Sequence, residues 1–212
     1  MFPQFAYPGD SKTIAQLRIT IGIIARLLEY PSEGMIANSE ISENDLVAVP
    51  KGEIRQNIKK FLIGIRKEPI SALCKRYVSL FDFSEKTSLN MTYHIFGEER
   101  DRTQKAQRGA ALLLLKSLYS EAGFEPSSQD LSDFLPMTLE FVAIAPIDQG
   151  TKVAELIREP LMVLRTNLKE IGTEVGRLYG LLLDACNVSL SEFISESKLP
   201  RAANTPEHEQ HD

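Results

Sequence analysis

A chain of 212 residues with 43% hydrophobic and 25% charged side chains is long enough to bury one sizeable core and has the composition of an ordinary soluble domain. Its net charge of -5 at pH 7 argues against a protein that neutralises many phosphates, because nucleic-acid affinity rests on clustered Lys and Arg. No run of about 18 apolar residues occurs, and the opening MFPQFAYPGDSK lacks the basic-then-apolar order of an export leader, so the expectation is a cytoplasmic protein without membrane insertion.

Ile14, Leu17, Ile21, Ile24 and Leu28 recur at alternating steps of three and four, which puts them on one stripe of a helix that Pro31 stops. Residues 31–50 mix turn formers with both polarities and are expected to form a surface connection with one short helical turn. A second helix buries Ile54, Ile58, Phe61, Leu62 and Ile65 and ends before Pro69. A third carries Ile70, Leu73, Tyr77, Leu80 and Phe81. After the break DFSEKTS, Leu89, Tyr93 and Phe96 predict a short fourth helix ending at Gly97, which lacks a Cβ and so suits a C-cap.

The fifth helix is expected over 102–122, with Ala106, Gly109, Ala110, Leu113, Leu114, Ser117 and Leu118 pointing inward and Gly123 as its stop. The sixth spans 135–145 and keeps Pro136 in its first turn, where the missing N–H costs nothing. Pro160 is expected to open a last long helix in the same way, because Leu161, Leu164, Leu168, Ile171, Val175, Leu178 and Leu182 hold one continuous helical spacing. Beside them Gly172, Gly176 and Gly180 form a small-residue ridge. Each glycine costs roughly 0.8 to 1 kcal/mol of helix propensity, so the ridge implies a close helix crossing in the core, with a dimer seam as the alternative.

Alternating strand patterns around Asn-Gly or Asp-Gly turns are missing. The fold class is therefore all-α, a single-domain helical bundle of roughly six to eight helices over residues 1–195. Residues 196–212 are a polar tail too poor in apolar side chains to order. The two cysteines, Cys74 and Cys186, stand far apart in apolar surroundings and are expected to be free thiols in a reducing cytosol.

The function is expected between Tyr93 and Phe141. This stretch joins a dense charged turn, an apolar-striped helix, a turn of Gly, Pro, Ser and Asp, and a helix opening at Leu-Pro. It holds no metal-ligand pair, nucleophile elbow or phosphate-cradling glycine loop, so it points to protein binding and gives guanine nucleotides no site. His94 is the one histidine outside the tail. Its nearness in sequence to Glu98, Glu99 and Asp101 leaves a small helical enzyme as a rival reading, with no EXXH helix pair to support it.

These motifs are similar to those of the NarJ-type members of the TorD/NarJ family, the assembly chaperones of molybdenum oxidoreductases. Tyr93, His94, Gly97, Arg100, Asp101 and Arg102 match an aromatic-His segment followed by Gly and RDR-like charges. Gly123, Glu125, Pro126, Ser127, Ser128, Asp130, Leu131, Asp133, Leu135, Pro136, Leu139, Glu140 and Phe141 match GxEPSSxDLPDxLPxxLEF. The LLEYPSE ending of the first helix also resembles the family's start. Ser132 and Phe134 stand where nitrate-reductase chaperones often have Pro and His, which leaves open a client that acts on nitrate, selenate, chlorate, perchlorate, dimethyl sulfide or ethylbenzene.

The resemblance implies a helical chaperone that grips the N-terminal segment of an apo catalytic subunit and keeps it competent for insertion of the molybdenum bis-guanine-dinucleotide cofactor. The cofactor belongs to the client, and this chain would bind neither it nor a metal. Cofactor-delivery proteins are further implied partners. A permanent structural subunit of the oxidoreductase is the alternative, and monomer and dimer both stay open. The client groove is expected between the charged turn at 97–102 and the helix opening at Leu135. Tyr93, Phe96, Leu135, Leu139 and Phe141, with Pro136 beside them, would form its apolar wall. Glu98, Glu99, Asp101, Asp133 and Glu140 would meet basic client residues, Arg100 and Arg102 would order those acids or meet client acids, and His94 would make affinity depend on pH. Asp130 or Ser132 is expected to cap the helix that follows.

Overall fold

The computed structural model describes residues 10–37, 41, 43–97, 102–126 and 130–199. Ser11 opens the first helix by accepting the Ile14 N–H on its hydroxyl at 3.1 Å, which satisfies one of the donors a helix start leaves orphaned. That helix, α1 (Lys12–Leu27), is followed among the described residues by α2 (Glu33–Ile36), α3 (Glu43–Ala48), α4 (Glu53–Ile65), α5 (Ile70–Phe81), α6 (Tyr93–Phe96), α7 (Arg102–Glu121), α8 (Leu135–Ile144), α9 (Ile147–Ile171) and α10 (Glu174–Ser197). A single 3₁₀ turn at Glu85–Thr87 precedes α6.

Helix α10 is the axis of the bundle, lying against α9, α4 and α1, and α8 fills the space between α1 and α9. At the centre Phe61, Tyr77, Phe81 and Tyr179 meet edge to face, with neighbouring ring centroids 4.9 to 6.0 Å apart, the geometry that aromatic quadrupoles favour. Arg18 is buried elsewhere, where α1 packs on α8. Its guanidinium pairs with Asp10 at 2.8 Å and donates to the carbonyls of Ala145 at 2.8 Å and Ala143 at 3.1 Å. The cation therefore stands at the C-terminus of α8, where the helix dipole and the unpaired carbonyls favour positive charge.

Three expectations are corrected. The 31–50 connection holds two short helices and is anchored rather than superficial, since Met35, Ile41, Leu46 and Val49 are buried. Its apolar residues are spaced too sparsely for a periodic signal, and Arg55 of α4 ties its end by donating to the Val47 carbonyl at 3.0 Å and to the Val49 carbonyl at 2.9 Å.

Helix α7 is rotated from its expected setting. Ala106, Ala110, Leu113, Leu114 and Ser117 face solvent, and Arg108, Leu115, Leu118 and Tyr119 face inward. Four consecutive leucines from Leu112 to Leu115 put apolar groups all round the helix, so polar partners decide its rotation instead.

Pro160 lies inside α9 and does not open a helix. The long apolar spacing crosses a break: Gly172 takes φ 67°, and Thr173 caps α10 by accepting the Gly176 N–H at 3.1 Å. The spacing survives because the two antiparallel helices turn the same side to one core. The expected close crossing is present between them. A Cβ added at Gly180 would lie 3.4 Å from the guanidinium carbon of Arg165, which forms a two-pronged pair with Asp184 at 2.7 and 2.8 Å. Helix α10 continues to Ser197, and the tail from 200 onward lies outside the described residues.

Candidate functional site

Two segments far apart in sequence are paired at the entrance to α8. The Met91 N–H donates to the Asp133 carbonyl at 3.0 Å and the Leu135 N–H to the Leu89 carbonyl at 2.8 Å, around an isolated antiparallel bridge of Asn90 and Phe134. The Asp133 side chain makes the pairing specific. It is fully buried and accepts from the Thr92 N–H at 2.9 Å, the Thr92 hydroxyl at 2.5 Å and the Asn90 amide at 3.1 Å. A buried carboxylate is tolerable only with such donors around it.

The Thr92 hydroxyl also accepts from Arg108 Nε at 2.9 Å, and that guanidinium lies over the Tyr93 ring, 4.1 Å from its centroid. A hydroxyl-bridged ion pair, strengthened by a cation–π contact, thus fixes α6, α7 and the start of α8 relative to one another. His94 closes the other side. Its Nε2 lies 2.8 Å from the Ser88 carbonyl, an acceptor only, so Nε2 carries the proton and donates. Burial holds the His94 pKa below its ordinary 6.5, against the opposing pull of the Ser88 bond and the Asp133 charge.

The site residues expected from the sequence divide into three groups. Tyr93, His94 and Phe96 are half-buried on α6, while Arg102 and Glu140 are exposed. Leu135, Pro136, Leu139 and Phe141 are buried in the core and form no groove wall in this structure; Phe141 instead packs against Tyr119, centroids 4.6 Å apart, and meets Phe124 edge to face at 5.4 Å. Asp133 is likewise no rim acid, since its donors are Thr92 and Asn90. Glu98, Glu99, Arg100 and Asp101 lie outside the described residues. The capping expectation is also corrected: α8 has Phe134 at its N-cap without a side-chain cap bond, Ser132 donates its hydroxyl to the Leu112 carbonyl at 2.8 Å, and Asp130 is exposed.

An open cleft of 380 Å³ remains beside this hub, lined by Phe81, Asp82, Ser84, Ser88, Leu89, Asn90, Tyr93 and Phe134. Two large apolar side chains stand in water close by in the chain, Phe83 at 84% exposure and Ile95 at 53%. Neither is marked in the sequence, where DFSEKTS reads as a break. Thr92 and Arg108 were missed for a different reason, because nothing local announces a partnership across 16 residues. Among the described residues no group of three or more His, Cys, Asp or Glu is placed to hold a metal, and no helix is long and apolar enough to cross a membrane.

A family model described as the nitrate reductase delta subunit matches residues 46–172. The chain is 31% identical over 178 residues to the probable nitrate reductase molybdenum cofactor assembly chaperone NarJ of Bacillus subtilis, an alignment that spans 84% of this chain and 94% of the relative. It is 28% identical over 183 residues to the NarJ chaperone of Escherichia coli K12, covering 84% and 74% of the two chains. The probable chaperone NarW of the same strain is 27% identical over 169 residues, with 80% and 68% covered.

Proposed function

The chain belongs to the nitrate reductase delta subunit family, and from that premise we propose that it is a molybdenum cofactor assembly chaperone that holds the N-terminal segment of an apo molybdenum oxidoreductase catalytic subunit. It is an assembly factor and not a catalyst. The cofactor enters the client, so this chain needs no site for it.

The observation that carries the client site is the cleft between α5 and α6, with the exposed Phe83 and Ile95 close to its lining residues in the chain. A bound segment that covers large apolar side chains such as these gains roughly 1.5 to 3 kcal/mol for each. Asp82 on the cleft wall gives a basic client residue a counter-charge. Tyr93 and Phe134 supply the apolar floor. The hub of Asp133, Thr92 and Arg108 keeps that floor rigid, which lowers the ordering cost of binding.

The test is a titration of the protein with the N-terminal peptide of a nitrate reductase catalytic subunit from the same organism. Wild type is compared with Phe83→Ser and Ile95→Ser, two exposed substitutions that leave the core intact. Binding that weakens about tenfold in each variant with unchanged thermal unfolding is the expected result. No binding by wild type, or equal binding by all three proteins, defeats the proposal.

A further inference from the structure

The outward face of α7 carries apolar groups that stay exposed among the described residues. Leu113 is 69% and Leu114 50% exposed, Ala106 and Ala110 are exposed as well, and a Cβ added at Gly109 would meet nothing within 4 Å. Next to this face runs a groove of 610 Å³ between α7 and the segment that follows Gly123, with Leu113 and Leu131 on its lips and Tyr119, Phe124 and Met137 among its lining residues. Leu131 is itself 47% exposed.

Two features define what the groove accepts. Two of its polar lining groups are paired internally: the Tyr119 hydroxyl donates to the Ser132 carbonyl at 2.7 Å, and the Ser132 hydroxyl donates to the Leu112 carbonyl at 2.8 Å. An extended peptide needs free backbone partners along its length, which one side of a helix does not offer, so a helix that satisfies its own backbone fits better. The two lips also differ in charge. Lys105 and Lys116 are eleven residues apart, which at about 100° per residue puts them on one flank of α7, the flank that Lys116 gives to the groove. The facing lip carries Glu125 and Asp130.

We propose that this groove is a second docking surface, separate from the client cleft, for an amphipathic helix of a partner protein that has acidic residues on one flank of its apolar face and basic residues on the other. The apolar face covers Leu113 and Leu131. The acidic flank lies over Lys105 and Lys116, and the basic flank over Glu125 and Asp130, which fixes both the rotation and the direction of the bound helix.

Synthetic helical peptides with one leucine face serve as probes, followed by fluorescence anisotropy: one with Glu on one flank and Lys on the other, and one with Lys on both flanks. Wild type is expected to prefer the mixed peptide, and Leu113→Asp to weaken it about tenfold. A Lys105→Glu, Lys116→Glu double variant, in which both lips are acidic, is expected to reverse the preference toward the all-Lys peptide. All substituted side chains are exposed, and circular dichroism confirms the fold of each variant. Indifference of wild type to the two peptides, or an unreversed preference in the double variant, overturns the proposal. So does a wild-type dimer that Leu113→Asp disperses, since a second copy would then occupy the face. The N-terminal client peptide is expected to bind Leu113→Asp as well as it binds wild type; its loss there would merge the two surfaces and overturn the separate one, whereas its failure to bind any protein would bear only on the client reading.

Discussion

The carboxylate of Asp133 holds Thr92 twice, through its backbone N–H at 2.9 Å and its hydroxyl at 2.5 Å, across 41 residues of chain. The contact closes the segment that contains the charged turn and α7. Removing the carboxylate strands several buried donors and leaves Arg108 without the negative charge that its bond to Thr92 relays. Asp133→Ala is therefore expected to destabilise the protein by about 3 kcal/mol, read as a lower urea midpoint with an unchanged slope. A midpoint within error of wild type would show that the hub is dispensable.

His94 gives the fold a dependence on pH with a definite sign. Its pKa is lowered by burial, so the unfolded chain takes up the proton first as pH falls, and stability drops. The contribution of neutral His94 is complete above about 6.5 and is lost progressively below that value. His94→Gln keeps a donor for the Ser88 carbonyl and has no proton to gain, so the difference between its stability at pH 7.5 and at pH 5 should be smaller than that of wild type. Denaturation at the two pH values checks this, and an equal loss in both proteins would remove His94 as the cause.

Much of the bundle was legible in the sequence because helical spacing reports burial directly. Ile14, Leu17, Ile21 and Ile24 on α1 and Ile54, Ile58, Phe61 and Leu62 on α4 are buried as their steps of three and four require. The spacing failed where it was degenerate, in the four leucines of α7, and where it ran on through the Gly172-Thr173 break, whose stop and cap signals the unbroken apolar steps outweighed. The surroundings of the site were harder to read. Apolar side chains at Leu135, Leu139 and Phe141 have the same composition whether they line a groove or fill a core, and only the packing of α8 between α1 and α9 decides between the two. Asp133 is the clearest instance: a carboxylate after a turn suggests a rim charge, and the partners that bury it come from a segment some forty residues earlier.

Arg18 tests how far a buried cation stabilises a helix end. It holds Asp10 and the last carbonyls of α8 at once. Arg18→Met keeps much of the side-chain volume but removes the donors of the helix-end carbonyls and one charged partner of Asp10, so a loss of about 3 to 5 kcal/mol is expected. Asp10→Asn, which keeps Arg18 on its carbonyls, should cost clearly less. Equal losses in the two variants would place the energy in the ion pair and not in the cap.

Tyr179 makes the opposite case. Its ring packs against Phe61 and Phe81, yet its hydroxyl is buried with no hydrogen-bond partner among the described residues. Burial also raises its pKa, so it stays a neutral phenol at any ordinary pH. Tyr179→Phe keeps the ring and deletes an unpaired polar group, and is expected to raise stability by about 1 kcal/mol. A loss of that size would mean that the hydroxyl has a partner after all.

Two glycines outside the core should respond to alanine with opposite signs. Gly109 lies within α7, with nothing within 4 Å of an added Cβ. Gly109→Ala therefore removes only the conformational freedom of the unfolded glycine, a gain of about 0.8 to 1 kcal/mol. Gly172 has φ 67° between α9 and α10, a left-handed conformation that costs other residues about 1 to 2 kcal/mol. Gly172→Ala should lower stability by that amount without disturbing any packed side chain, because the nearest atom to its added Cβ is the Glu170 carbonyl oxygen at 3.9 Å. Thermal unfolding of the two single variants and the double variant checks both signs, and the effects should add, since the sites share no partner. If Gly109→Ala is neutral or destabilising, propensity does not govern the exposed face of α7, and its glycine must answer to something other than the folded monomer.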